Sequence, residues 1–174
     1  MSRQQPASDR SFMELVDVHR TLDRVFLAHQ SALICMQGAA AERTYAAYKE
    51  LLALHIHHED EILLPVFRRI GPIQRWPDTL FSGEHRKLEG FLARIDAGLA
   101  ALGEPTPDKA AAIVGVIDIE GGLKRLQEHH DDREQQCLFP VLDQVTEADE
   151  RAALLDRVLG EFARAHARLL PEWA

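Results

Sequence analysis

Two stretches of this chain carry the residue types from which a metal site is built. Residues 55–66 read HIHHEDEILLPV and residues 130–141 read HDDREQQCLFPV. Both fit the pattern His-x3-Glu-x3-Leu-[Leu/Phe]-Pro-Val. It is anchored by His55, Glu59, Leu63, Pro65 and Val66, and again by His130, Glu134, Leu138, Pro140 and Val141. On a helix, residues i and i+4 lie on one face about one turn apart, so each copy aims an imidazole and a carboxylate at one place. Each copy also follows a helix-like stretch that sets a histidine on its apolar stripe, His19 before the first and His85 before the second.

Four imidazoles and two carboxylates on inward faces are costly without a cation, because an unpaired buried carboxylate costs several kcal/mol. A lone histidine on a helix seam is ordinarily a hydrogen-bonded core residue. The same pattern set twice across four stripes is what points to metal. A mixed nitrogen and oxygen ligand set suits iron, manganese or zinc rather than thiolate chemistry. Two carboxylates from opposite helices can bridge two ions and leave the imidazoles as terminal ligands. Six protein ligands do not fill two octahedral ions, so positions remain for an oxo or hydroxo bridge, water or a small diatomic ligand.

The elements that must position these residues read as four long amphipathic helices. Ser11 is expected to cap the first, with Glu14 as its capping-box partner. Its stripe runs Phe12, Leu15, His19, Leu22, Phe26, His29, Leu33 in three- and four-residue steps, the seam of a bundle helix. Gly38 is expected to end it. The second starts near Ala40 with a seam of Tyr48, Leu52, His55, Glu59, Ile62 and Val66. Pro65 should kink or weaken its last turns, and Gly71-Pro72 should stop it ahead of a loop to Pro77. Asp78 or Thr79 is expected to cap the third, whose seam is Phe81, His85, Leu88, Leu92, Ile95, Leu99, Leu102; the stretch from Gly103 to Pro107 breaks it. The fourth runs from near Asp108 to about Val145 through Val116, Glu120, Leu123, Gln127, His130, Glu134, Cys137 and Val141. Gly121 and Gly122 inside it cost roughly 1 kcal/mol each relative to alanine, which either a bend or a close helix approach would explain. A fifth segment, about 147–170, is amphipathic through Ala152, Leu155, Val158, Leu159 and Phe162.

The expectation is therefore an all-α fold. A polar tail covers residues 1–10, and an up-down-up-down four-helix bundle covers 11–145, since short loops between long helices favour antiparallel neighbours. Residues 146–174 add a C-terminal amphipathic helix that packs across the bundle, on a second subunit as a homodimer, or both.

The remaining polar residues sort by position. His57, His58 and His129 fall off the seams, as surface residues or as outer partners of the site, and His166 reads as surface. His29 is on the seam but ten residues from His19, ~15 Å along the axis, and reads as a core histidine. Glu89, four after His85, is a seventh ligand or an outer acceptor. Glu120 and Gln127 are candidates for the outer shell of the site. Cys137 reads as core packing.

Composition bounds the partners. At 174 residues the chain is one domain, and its 46% apolar residues suffice for a core. A net charge of −8 argues against nucleic acid or an anionic membrane as partner. No apolar run reaches the ~20 residues of a membrane helix. The opening MSRQQPASDRSF has no apolar signal core, so a cytoplasmic location is expected, where Cys35 and Cys137 stay thiols.

With these residues in this order, the chain resembles the hemerythrin-like (HHE cation-binding) family over about residues 12–145. The resemblance rests on His19, on His55-x3-Glu59 followed by LLP, on the GEH that leads into His85, and on His130-x3-Glu134 followed by LFP. It implies a four-helix bundle holding a non-haem di-iron centre. In it His19 and His55 would be terminal ligands of one iron and His85 and His130 of the other, with Glu59 and Glu134 bridging. Two departures stand out. Oxygen-carrying hemerythrins use His-x4-Asp on the last helix, and they carry a second histidine where this chain has Glu89. One imidazole fewer shifts the expectation from oxygen carriage to redox chemistry, sensing or iron handling.

Three functions follow as expectations. The first is a di-iron protein that binds or reacts with a small oxidant such as oxygen, nitric oxide or peroxide. The second is an enzyme-like role, for which the resemblance suggests peroxide decomposition or repair of iron–sulfur centres. The family's repair proteins usually carry a cysteine-bearing N-terminal domain, and only about ten residues precede the bundle here. The third is an interaction module that uses metal to hold its fold.

Overall fold

The computed structural model describes residues 10–71, 75–105 and 107–173, and among them it is all-helical, without strands. The tail expected over 1–10 lies outside the described residues except for Arg10, as do Pro72 and Thr106 of the expected breaks. Five long helices carry the structure: α1 (Val16–Ile34), α2 (Gly38–His58), α4 (Asp78–Gly103), α5 (Lys109–Arg133) and α7 (Ala148–Leu169). Two short ones, α3 (Leu64–Phe67) and α6 (Phe139–Val145), continue α2 and α5. Helix α1 packs along α2, α4 along α5, and α5 also meets α1.

The entry to α1 is the expected capping box. The Ser11 hydroxyl accepts from the Met13 amide at 3.1 Å, and the Glu14 carboxylate accepts from the Ser11 amide at 3.2 Å. Asp143 of α6 fixes the same point, accepting from the Ser11 hydroxyl at 2.6 Å and the Phe12 amide at 2.9 Å. All seven predicted seam positions of α1 are buried. Its end differs from expectation. Gly38 opens α2, and the left-handed residue is Met36, at φ 56°. The Gln37 amide donates to the Ala32 carbonyl and the Met36 amide to that of Leu33, a Schellman closure that recovers two helix-end carbonyls. At α4 neither Asp78 nor Thr79 is the cap. Pro77 holds that position, and the Asp78 carboxylate instead accepts from Arg68 at 2.6 Å.

The glycine pair of α5 marks a close approach. A Cβ on Gly122 would lie 2.6 Å from the Phe91 ring, and one on Gly98 would lie 2.9 Å from Val116. Both contacts join α4 to α5, so these two helices meet where side chains are absent.

Each His-x3-Glu motif runs into one wide, π-helical turn, Glu59–Leu63 and Glu134–Leu138. The proline that follows is the cause. An α-helical residue 65 or 140 would donate to the carbonyl four residues back, and proline cannot donate and presses on that carbonyl. The chain widens by one residue instead. The Leu64 amide reaches the Glu59 carbonyl and the Phe139 amide that of Glu134, both five residues back. The prolines then sit in the first turn of α3 and α6, where a missing N–H costs little. The extra residue shifts the seam. Val141, expected on it, is only half-buried, while Leu142 beside it is fully buried. In the first copy Val66 stays buried, joined by Phe67.

Helix α7 lies on its own chain. Leu155, Val158 and Phe162 are buried, and ion pairs tie its flanks at Arg10–Asp156, Arg69–Glu150 and Arg168–Glu50. A homodimer through this helix would have to use the face opposite that stripe. No described helix is long and apolar enough to cross a membrane.

Candidate metal centre

The four seams bring His19, His55, Glu59, His85, His130 and Glu134 together, each no more than 4% exposed. Helix α1 supplies His19, α2 and its wide turn supply His55 and Glu59, α4 supplies His85, and α5 and its wide turn supply His130 and Glu134. Glu134 reaches in two directions, with Oε1 2.8 Å from His130 Nε2 and Oε2 3.0 Å from His19 Nε2. Glu59 does likewise, with Oε1 3.2 Å from His55 Nε2 and Oε2 2.9 Å from His85 Nε2. Donor atoms of His19, His55, Glu59 and Glu134 all lie within 4.8 Å of one another, and so do those of Glu59, His85, His130 and Glu134. Two sets of four thus share both carboxylates.

These groups satisfy one another only in part: His85 Nε2 is hydrogen-bonded to Glu59 Oε2 at 2.9 Å. His19 Nε2, Glu59 Oε1 and both oxygens of Glu134 are buried without a hydrogen-bond partner among the described residues. These unpartnered atoms belong to the two sets whose donor atoms lie within 4.8 Å of one another. Buried imidazole nitrogens and carboxylate oxygens gathered this closely are what a cation needs, so the cluster can hold a metal ion.

Charge inside the cluster follows from the same packing. Burial disfavours the charged ring of His19, yet Glu134, then Asp131 and Glu59, push its pKa up to about 9. Burial is outweighed at His130 by Glu134, Glu59 and Glu84, and at His85 by Glu59 and Asp60, so both rise above the ordinary value. His55 has little beyond Glu59 to offset its burial and falls to about 3. Burial pushes Glu134 upward, but His130 and His19 hold it well below the usual carboxylate range. Glu59 is also lowered, although burial and Glu134 both oppose it, by His55, His130 and His85. Without metal, protons on the imidazoles balance the buried carboxylates.

Three residues not singled out in the sequence complete the site. Asp60 accepts from His85 Nδ1 at 2.9 Å, and Glu84 accepts from His130 Nδ1 at 3.1 Å and is held in turn by Arg133. Asp131 stands 3.6 Å from His19 Nδ1, and burial pushes its pKa up to about 7. Each acid is the chain neighbour of a cluster residue: Asp60 of Glu59, Glu84 of His85, Asp131 of His130. Successive residues on a helix point about 100° apart, so each acid turns from its own neighbour toward a histidine on the next helix. Adjacency in sequence was the available signal.

Other candidates fall elsewhere. Glu89 is exposed, because the α4 seam steps three residues from His85 to Leu88 and leaves position 89 facing solvent. His57 and His129 are exposed, and His166 is half-buried against Trp173. His58 is buried at 1% exposure, with Nε2 2.8 Å from Glu161 of α7, a partner supplied by the fifth helix. Glu120 does not serve the cluster. It is ten residues from His130, ~15 Å along the helix, and accepts from His29 Nε2 at 2.8 Å and Gln30 at 3.0 Å. Gln127 accepts from the Tyr48 hydroxyl at 2.7 Å. Cys137 is buried and free. No protein-family model, curated protein or solved structure matches the chain.

Proposed function

We propose that this protein is a hemerythrin-like, non-haem di-iron protein that binds or reacts with a small oxidant: oxygen, nitric oxide or peroxide. The observation that carries the reading is the pair of four-residue sets sharing Glu59 and Glu134, each completed by two histidines. In this reading α1, α2–α3, α4 and α5–α6 run up-down-up-down as a four-helix bundle, with α7 appended. The packing of α1 on α2 and α4 on α5 supports that order. His19 and His55 would hold one ion and His85 and His130 the other, with Glu59 and Glu134 common to both sets. Manganese or zinc fits the same donors, although zinc brings no redox chemistry.

The iron pair would supply electrons and open coordination positions to the oxidant. The chain does the rest. Asp60 and Glu84 accept hydrogen bonds from the Nδ1–H groups of His85 and His130, which leaves each Nε2 as the nitrogen free to ligate. Phe139 stacks 5.8 Å from the His19 ring, and Phe81 lies edge-on to His130 at 6.1 Å, so apolar surface keeps water off those rings.

The test is metal content per chain on protein from iron-replete cells, with an absorption spectrum of the same sample. Two irons with near-ultraviolet oxo-bridge bands that respond to oxygen, nitric oxide or peroxide support the reading. No iron, or no spectral response to any of the three, ends it. Oxygen evolution from peroxide above that of free iron would place the protein among peroxide-decomposing enzymes.

A further inference from the structure

The two halves of the cluster are not built alike. Where His85 and His130 meet the shared glutamates, both rings are held from behind in hydrogen-bond geometry, by Asp60 at 2.9 Å and Glu84 at 3.1 Å. Glu84 is only 3% exposed and is itself held by Arg133. Where His19 and His55 meet the same glutamates, the support is looser. Asp131 stands 3.6 Å from His19 Nδ1, and neither ring nitrogen of His19 has a hydrogen bond among the described residues. The one carboxylate within ion-pair distance of His55 among the described residues is the inner one, Glu59.

An outer carboxylate fixes the tautomer and orientation of a ligating imidazole and raises its basicity, and losing one typically costs 10–100-fold in metal affinity. We propose that the two halves bind metal in a fixed order. The His85–His130 half binds first and tightly, and the His19–His55 half binds second, weakly and exchangeably. This rests on the two-metal reading of the cluster and assigns the labile position within it. That position is the one at which a different second metal enters, or at which an ion leaves when supply falls.

Repulsion between two cations makes any adjacent pair of sites fill stepwise, so the test lies in which half fills first. Metal-free full-length protein is titrated with Co(II), followed by calorimetry and native mass spectrometry. The expected result is two steps whose dissociation constants differ by at least about tenfold. His19→Gln removes the weak step and keeps the tight one. Glu84→Gln, which preserves shape, weakens the tight step about 10–100-fold and leaves the weak step in place. Loss of the tight step in His19→Gln, or an unchanged tight step in Glu84→Gln with native helicity, overturns the order while leaving two ions per chain. Failure of the unaltered protein to bind Co(II) at all overturns the two-metal reading itself.

Discussion

Raising the pH should weaken the metal-free protein and strengthen the metal-bound one. In the metal-free cluster the His19 pKa is raised from 6.5 to about 9, and His85 and His130 are raised as well. A group whose folded pKa exceeds its unfolded value contributes stability that is fully present below the unfolded value and lost as pH climbs through the folded one. The window is therefore pH 6.5 to 9. The lowered groups, His55, His58, His166, Glu59 and Glu134, change below it, and Asp131, raised to about 7, adds a loss of the same sign only at its lower end. At 1.36 kcal/mol per pKa unit, His19 alone accounts for about 3 kcal/mol across that window, a large part of a typical 5–15 kcal/mol total. With a urea m-value of about 2 kcal/mol/M, the midpoint should fall by about 1.5 M. With metal bound, the imidazoles must already be deprotonated, so rising pH removes the competing proton and tightens binding. Urea titrations at pH 6.5, 7.5 and 9, with chelator and with metal, read both slopes. A metal-free midpoint that holds steady or climbs over that window would refute the protonated-cluster picture.

Further outcomes follow from other contacts. Glu120→Leu leaves His29 Nε2 without its partner while Nδ1 keeps the Ala41 carbonyl at 2.9 Å, and should cost about 1–3 kcal/mol in a urea melt. Metal content should not change, because this pair is remote from the cluster. Gly122→Ala sets a Cβ against Phe91 and should destabilise by about 1–3 kcal/mol, with Phe91→Leu in the same chain recovering most of the loss. Removing residues 147–174 forfeits burial of Leu155, Val158 and Phe162, roughly 5–8 kcal/mol in all, so the urea midpoint of the shortened chain should fall by at least about 2 M. Loss of that helix without loss of stability would mean α7 is packed only loosely.

The inward positions were legible from sequence because they depend on helix periodicity alone. His19, His55, Glu59, His85, His130 and Glu134 sit on seams whose three- and four-residue steps fix which way a side chain faces, and all six are buried together. The Ser11–Glu14 cap was legible for the same reason, since its partners are three residues apart. Three things needed the tertiary structure. The seam slips from Val141 to Leu142 because a proline blocks one backbone bond and the chain widens by a residue, a change of phase that periodicity cannot express. Gly122 is explained only by the Phe91 ring on another helix. The outer carboxylates Asp60, Glu84 and Asp131 act across helices, about 100° away from the seam residues beside them. Their role depends on which helix lies next door, and helix adjacency is a property of packing rather than of any one stretch of chain.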